Sequence, residues 1–132
     1  MQYLQKQNRA YLCLIKQISY LTDSTHDFTS RKDVDRMIKI VARRVVRAEA
    51  VDQYEALARE LVEKSQAEPG CVSYTLNRSL SDPRVHTMLE VWKDQAAIDA
   101  HNASEHFTRI VPQLGALVEV ADPVELYEVV WG

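Results

Sequence analysis

The chain has 132 residues, 46% hydrophobic and 27% charged, with only three glycines and four prolines, a composition that suits one globular domain built on one core. Residues 1–36 carry six Lys/Arg against four Asp, whereas residues 37–132 carry ten against fifteen acidic residues, for a net charge of −3. An acidic body argues against a nucleic-acid partner, which needs a basic face for its phosphates, and no apolar run approaches the roughly 20 residues that span a bilayer.

Residues 1–36 read as an N-terminal extension. Tyr11, Leu14, Ile15, Ile18 and Leu21 follow helical spacing. Thr22 to Asp35 is a polar linker with little to bury, and Met37, just before the first strand, is a candidate start for the domain over 37–132. The two cysteines, Cys13 and Cys71, form no CxxC pair and no zinc spacing. Cys71 reads as a buried free thiol, and the usage fits a reducing compartment, so a cytoplasmic location is expected.

Ile38–Val46 is rich in β-branched residues and predicts a strand. Val51–Glu68 predicts an amphipathic helix with Val51, Tyr54, Ala58, Leu61 and Val62 on one face, stopped by Pro69-Gly70. Cys71–Leu80 alternates, with Val72, Tyr74, Leu76 and Arg78 on one face. Ser81-Asp82-Pro83 is a turn into an antiparallel strand, Arg84–Trp92. Asp94 caps a helix to about Asn102 and Ser104 caps the next, which Pro112 should distort. Val124–Val130 predicts the last strand.

The order β-α-β-β-α-β predicts an α+β, ferredoxin-like fold, an antiparallel sheet with helices on one face. Third-strand apolar residues fall on both faces, Val85, Leu89 and Val91 on one, Met88 and Trp92 on the other. Helices cover only one of them, so the second needs a partner, and a second copy is the simplest. A homodimer with two sheets facing each other as a shared barrel is the expectation.

Several segments carry a family resemblance: Ile38-Lys39-Ile40-Val41-Ala42, Glu68-Pro69-Gly70-Cys71, Glu90-Val91-Trp92, Ala97 to His101 and Ser104-Glu105-His106-Phe107, then Val111-Pro112-Gln113-Leu114 and Leu126-Tyr127-Glu128-Val129. On these, Met37–Val130 resembles the antibiotic biosynthesis monooxygenase (ABM) domain family. The resemblance implies a dimeric α+β barrel and, among the family's activities, cofactor-independent oxidation of quinol-like aromatics by O2. Heme degradation is not implied. That branch uses an Asn on the first strand and a His on the last helix, and Ile38–Val46 has no Asn and Phe107–Val118 no His.

With the resemblance, His101 becomes the candidate base, able to take a proton near neutral pH. It would deprotonate a hydroquinone or enol, whose anion then reacts with O2. No cofactor is required, because the substrate supplies the electrons. Trp92, Phe107, Tyr74 and His106 are the candidate substrate-binding residues. Each has a competing structural reading: His101 as a helix-end cap, His106 as a structural hydrogen bond, Trp92 and Phe107 as core. Asn77, Arg78 and Glu90 read as surface or cross-strand residues. No metal is expected: His101 and His106 are five apart, a helix boundary at Ser104 separates them, and no HExxH motif accompanies them. Two alternatives stay open. One is an isomerase of a small hydroxy-diketone, for which Arg78 and Arg109 are the candidate phosphate-binding cations. The other is a non-catalytic ligand-binding or stress-response dimer.

Overall fold

A computed structural model describes residues 37–131, so the helix and linker expected over 1–36 lie outside the described residues. Among the described residues, five strands form one antiparallel sheet: β1 Ile38–Val46, β2 Cys71–Arg78, β3 Val85–Trp92, β4 Val118–Ala121 and β5 Glu125–Glu128. Three α-helices among them accompany it: α1 Val51–Gln66, α2 Gln95–Asn102 and α3 Glu105–Gly115, with a short 3-10 turn at Ala48–Ala50. The sheet order is β2-β3-β1-β4, with β5 also on β1, the ferredoxin-like arrangement in which strands that follow each other around a helix are not neighbours. Among the described residues the sheet is open and does not close on itself.

The period of two sorts the residues. Ile40, Val46, Tyr74, Met88 and Trp92 point to the helices and are buried. They pack on Tyr54, Ala58 and Leu61 of α1, Ile98 of α2, and Ile110 and Leu114 of α3. The opposite face carries Val41, Val45, Val85 and Val91, partly buried, and Leu89, Val120 and Tyr127, exposed by 38%, 48% and 49%.

Three expectations change. The single last strand is two short ones, because Asp122-Pro123 bends the chain and Pro123 has no amide to give the ladder. β4 then pairs with the end of β1 and β5 with its beginning. Val72 does not share the buried face of Tyr74: a register shift between Cys71 and Ser73, a bulge, leaves it 57% exposed. Pro112 sits inside α3, which continues through it to Gly115.

Candidate active site

The site is built where three segments meet. Asp94 starts α2 by accepting from the Ala97 amide at 2.8 Å. Ser104 joins α2 to α3: its Oγ accepts from the Phe107 amide at 3.3 Å and donates to the His101 carbonyl at 2.6 Å. This tight corner, capped as the sequence predicts, sets His101 in the last turn of α2 beside His106 in the first turn of α3. The third segment is the Glu68-Pro69-Gly70 loop after α1. It passes so close to α2 that a Cβ on Gly70 would lie 2.2 Å from the Ala97 Cβ. Glycine is what lets the loop, and Glu68 with it, reach the histidines.

Glu68 Oε1 sits 2.7 Å from His101 Nδ1 and 2.6 Å from His106 Nε2. An ionised carboxylate only accepts, so both of those ring nitrogens carry protons. A neutral His101 then has its lone pair on Nε2. That atom is buried and has no hydrogen-bond partner among the described residues. The ring is 1% exposed and enclosed by Trp92, Tyr74 and Phe107, with centroid distances of 4.5, 5.4 and 5.0 Å. Burial pushes the imidazole below its usual range, and the bond to Glu68 pulls it partly back. The result is a weak base in an aromatic enclosure, oriented by a carboxylate on its far nitrogen. The sequence-predicted residues Trp92, Tyr74, Phe107, His101 and His106 are all brought together. His101 is not a helix-end cap on carbonyls, because its Nδ1 goes to Glu68 instead.

Glu90 is a correction. It was expected at the surface or in a cross-strand pair, and it is only 7% exposed. It shares the parity of Met88 and Trp92, which the alternation of β3 could have signalled. Its carboxyl accepts from Trp92 Nε1 at 2.8 Å. Burial pushes it up to about 7, against the hydrogen bonds from Trp92 and Tyr74 that favour the ionised form. A second titratable group thus lies under the indole that packs on His101.

His86 has the same parity and was missed altogether. It is 1% exposed, with Nδ1 3.1 Å from the Arg84 carbonyl and Nε2 2.8 Å from Glu55 Oε1. Arg78 also bonds Glu55 at 3.0 Å, and Arg109 bonds Glu60 and Glu105, each at 2.6 Å. Both arginines expected to hold a phosphate are thus committed to carboxylates. Arg43 pairs with Asp122, and Arg44 donates to the Asp122 carbonyl. A groove of about 350 Å³ runs between α1 and β2, walled by Arg59, Val62, Gln66, Tyr74 and Leu76 among others. It includes Tyr74 but not His101. Cys71 is a free thiol, partly buried, which burial pushes up. No helix among the described residues is long and apolar enough to cross a membrane.

The family model for antibiotic biosynthesis monooxygenases matches residues 37–113. A Bacillus subtilis protein named "Putative monooxygenase YcnE" is 36% identical over 75 residues, 57% of this chain and 79% of its own. A crystal structure described as an antibiotic biosynthesis monooxygenase is 40% identical, with a TM-score of 0.66 over 70% of this chain and 98% of that one. A conserved protein from Methanosarcina mazei is similar too, at 31% identity and a TM-score of 0.67, over 74% of this chain and 97% of that one. The chain belongs to the antibiotic biosynthesis monooxygenase family.

Proposed function

We propose that this protein is a cofactor-independent monooxygenase of quinol-like or polyphenolic substrates, with His101 as the base. One observation carries the reading: a buried imidazole held at Nδ1 by Glu68 with its Nε2 unpartnered among aromatic rings. Burying a nitrogen without a partner costs stability, and such a cost is commonly retained where the atom has work to do. The arrangement follows the logic of a carboxylate–histidine pair, in which the carboxylate fixes the tautomer and steadies the imidazolium.

In the reaction, Nε2 takes a hydroxyl proton from the hydroquinone. The electron-rich anion passes an electron to O2 and the resulting pair recombines at a ring carbon. One oxygen atom stays on the ring as a hydroxyl in place of a hydrogen. The ring is left as a quinone, and the other oxygen leaves as water with two hydrogens from the substrate. Four electrons leave the substrate and four reduce O2, so no outside reductant is needed. Trp92, Tyr74 and Phe107 supply flat apolar walls for the ring and keep bulk water from the anion. His106 shares the Glu68 oxygen and borders solvent, at 14% exposure. Since His101 is 1% exposed, substrate reaches Nε2 only when this aromatic wall opens.

The isomerase alternative has less support, since its two candidate phosphate-binding cations, Arg78 and Arg109, each pair with carboxylates. The working unit is proposed to be a homodimer. Its support is the apolar sheet face of Val41, Val45, Val85, Leu89 and Val120 that the helices among the described residues leave uncovered. Sedimentation should give twice the chain mass, and a clean monomer at micromolar concentration would remove this part.

The test is oxygen uptake by metal-free protein with a panel of hydroquinones and naphthohydroquinones, His101→Ala alongside. Uptake above autoxidation that drops in the variant supports the reading. Equal uptake by both proteins, or none above background over the panel, contradicts it.

A further inference from the structure

The Glu68 cluster has a second chemical capacity, independent of any substrate. Glu68 Oε1, His101 Nδ1 and His106 Nε2 all lie within 4.8 Å of one another. They arrive from three separate segments, so the five-residue spacing of the histidines does not matter: the turn at Ser104 and the α1–β2 loop do the gathering. Two imidazoles and a carboxylate are a donor set that zinc and its first-row neighbours take. In a tetrahedral site with bonds of about 2.0–2.1 Å, ligand atoms stand roughly 3.3 Å apart. The Glu68 oxygen is 2.7 and 2.6 Å from the two nitrogens, so it must withdraw by about 0.6–0.7 Å, and the two nitrogens, within 4.8 Å of each other, must settle at about the same 3.3 Å spacing. Glu68 and His106 are 15% and 14% exposed, which gives an ion a way in and leaves room for water as a fourth ligand.

We propose that Glu68, His101 and His106 bind one divalent first-row transition ion, with Zn²⁺ as the representative, and that the ion blocks the base. The ion replaces the two protons now shared with Glu68. With Nδ1 on the metal, the remaining proton of a neutral His101 sits on Nε2, which then donates and cannot accept. Metal and substrate chemistry compete for one imidazole. This consequence rests on the reading of His101 as the base; the binding itself does not.

Calorimetric titration of Zn²⁺ into chelator-stripped full-length protein tests the site, with Glu68→Gln and His106→Gln compared and circular dichroism checking their folding. The expected result is one Zn²⁺ per chain, bound at least about tenfold more weakly in each variant. No binding to the unaltered protein, or unchanged affinity in either variant, overturns the proposal. Should Glu68→Gln fail to fold, His106→Ala, at a partly exposed position, carries the test beside His106→Gln. Zinc binding without oxygen uptake leaves the metal site standing and removes the monooxygenase reading. Oxygen uptake without zinc binding does the reverse.

Discussion

His86 and His101 are the same residue type at the same 1% exposure, and each faces a glutamate contributed by α1 or the loop that follows it. They differ at the other nitrogen. His86 has an acceptor on both sides, the Arg84 carbonyl and Glu55, so its ring is used up in tying α1 to β3. His101 has Glu68 on one side and nothing on the other. Burial and a carboxylate partner therefore do not identify a base. The unspent lone pair is what sets His101 apart and supports the proposal that it is the base.

This contrast can be broken by substitution. His101→Ala should lower oxygen uptake per folded molecule by about 10²–10⁴-fold, beside the stability it loses by emptying a buried, aromatic-lined position. His86→Ala should lose about 2–3 kcal/mol in urea denaturation with uptake per folded molecule retained. Uptake lost equally in both would erase the distinction.

The same region predicts a pH effect through Glu90. Its folded value, about 7, lies above the unfolded value near 4.5, so the folded protein holds a proton that the unfolded chain releases. That contribution is fully present below about pH 4.5 and is lost as pH rises towards and past 7. For a fully buried group the loss is on the order of 3 kcal/mol. Stability of Glu90→Gln, followed by urea denaturation from pH 5 to 8 (roughly the span over which the carboxyl ionises), should fall less steeply than that of the unaltered protein. Equal slopes would mean that Glu90 stays charged in the fold. Trp92→Phe removes the indole donor from that carboxyl and should cost about 1–3 kcal/mol, again read in urea.

The smallest expected effect is at the loop that delivers Glu68. Gly70→Ala places a methyl 2.2 Å from the Ala97 Cβ and should cost about 1–2 kcal/mol. It should also lower activity more than that loss explains, because α2 must shift away from Glu68. A variant with normal uptake would show that the Glu68–His101 distance is not critical.

Much of this was legible in the residues. Alternation on β3, the Pro-Gly stop, and the caps Asp94 and Ser104 depend on local chemistry, and they placed His101, His106, Phe107 and Trp92 in one corner. The pairing of Glu68 with His101 spans 33 positions, and no local pattern encodes it. The bulge that turns Val72 outward is likewise set by how β2 meets β3. Glu90 and His86 are a different kind of miss. Their parity puts them on the buried face, but a charged or polar side chain is buried only with a partner, and the tertiary partners Trp92 and Glu55 are not visible in the strand itself.

The most direct test of the central claim is the tautomer of the two histidines, read by nitrogen-15 NMR of the ring nitrogens at neutral pH. The expected result is His101 protonated at Nδ1 with a bare Nε2, and both ring nitrogens of His86 engaged in hydrogen bonds, to the Arg84 carbonyl and to Glu55. A proton on Nε2 of His101, or the same pattern in both rings, would contradict it.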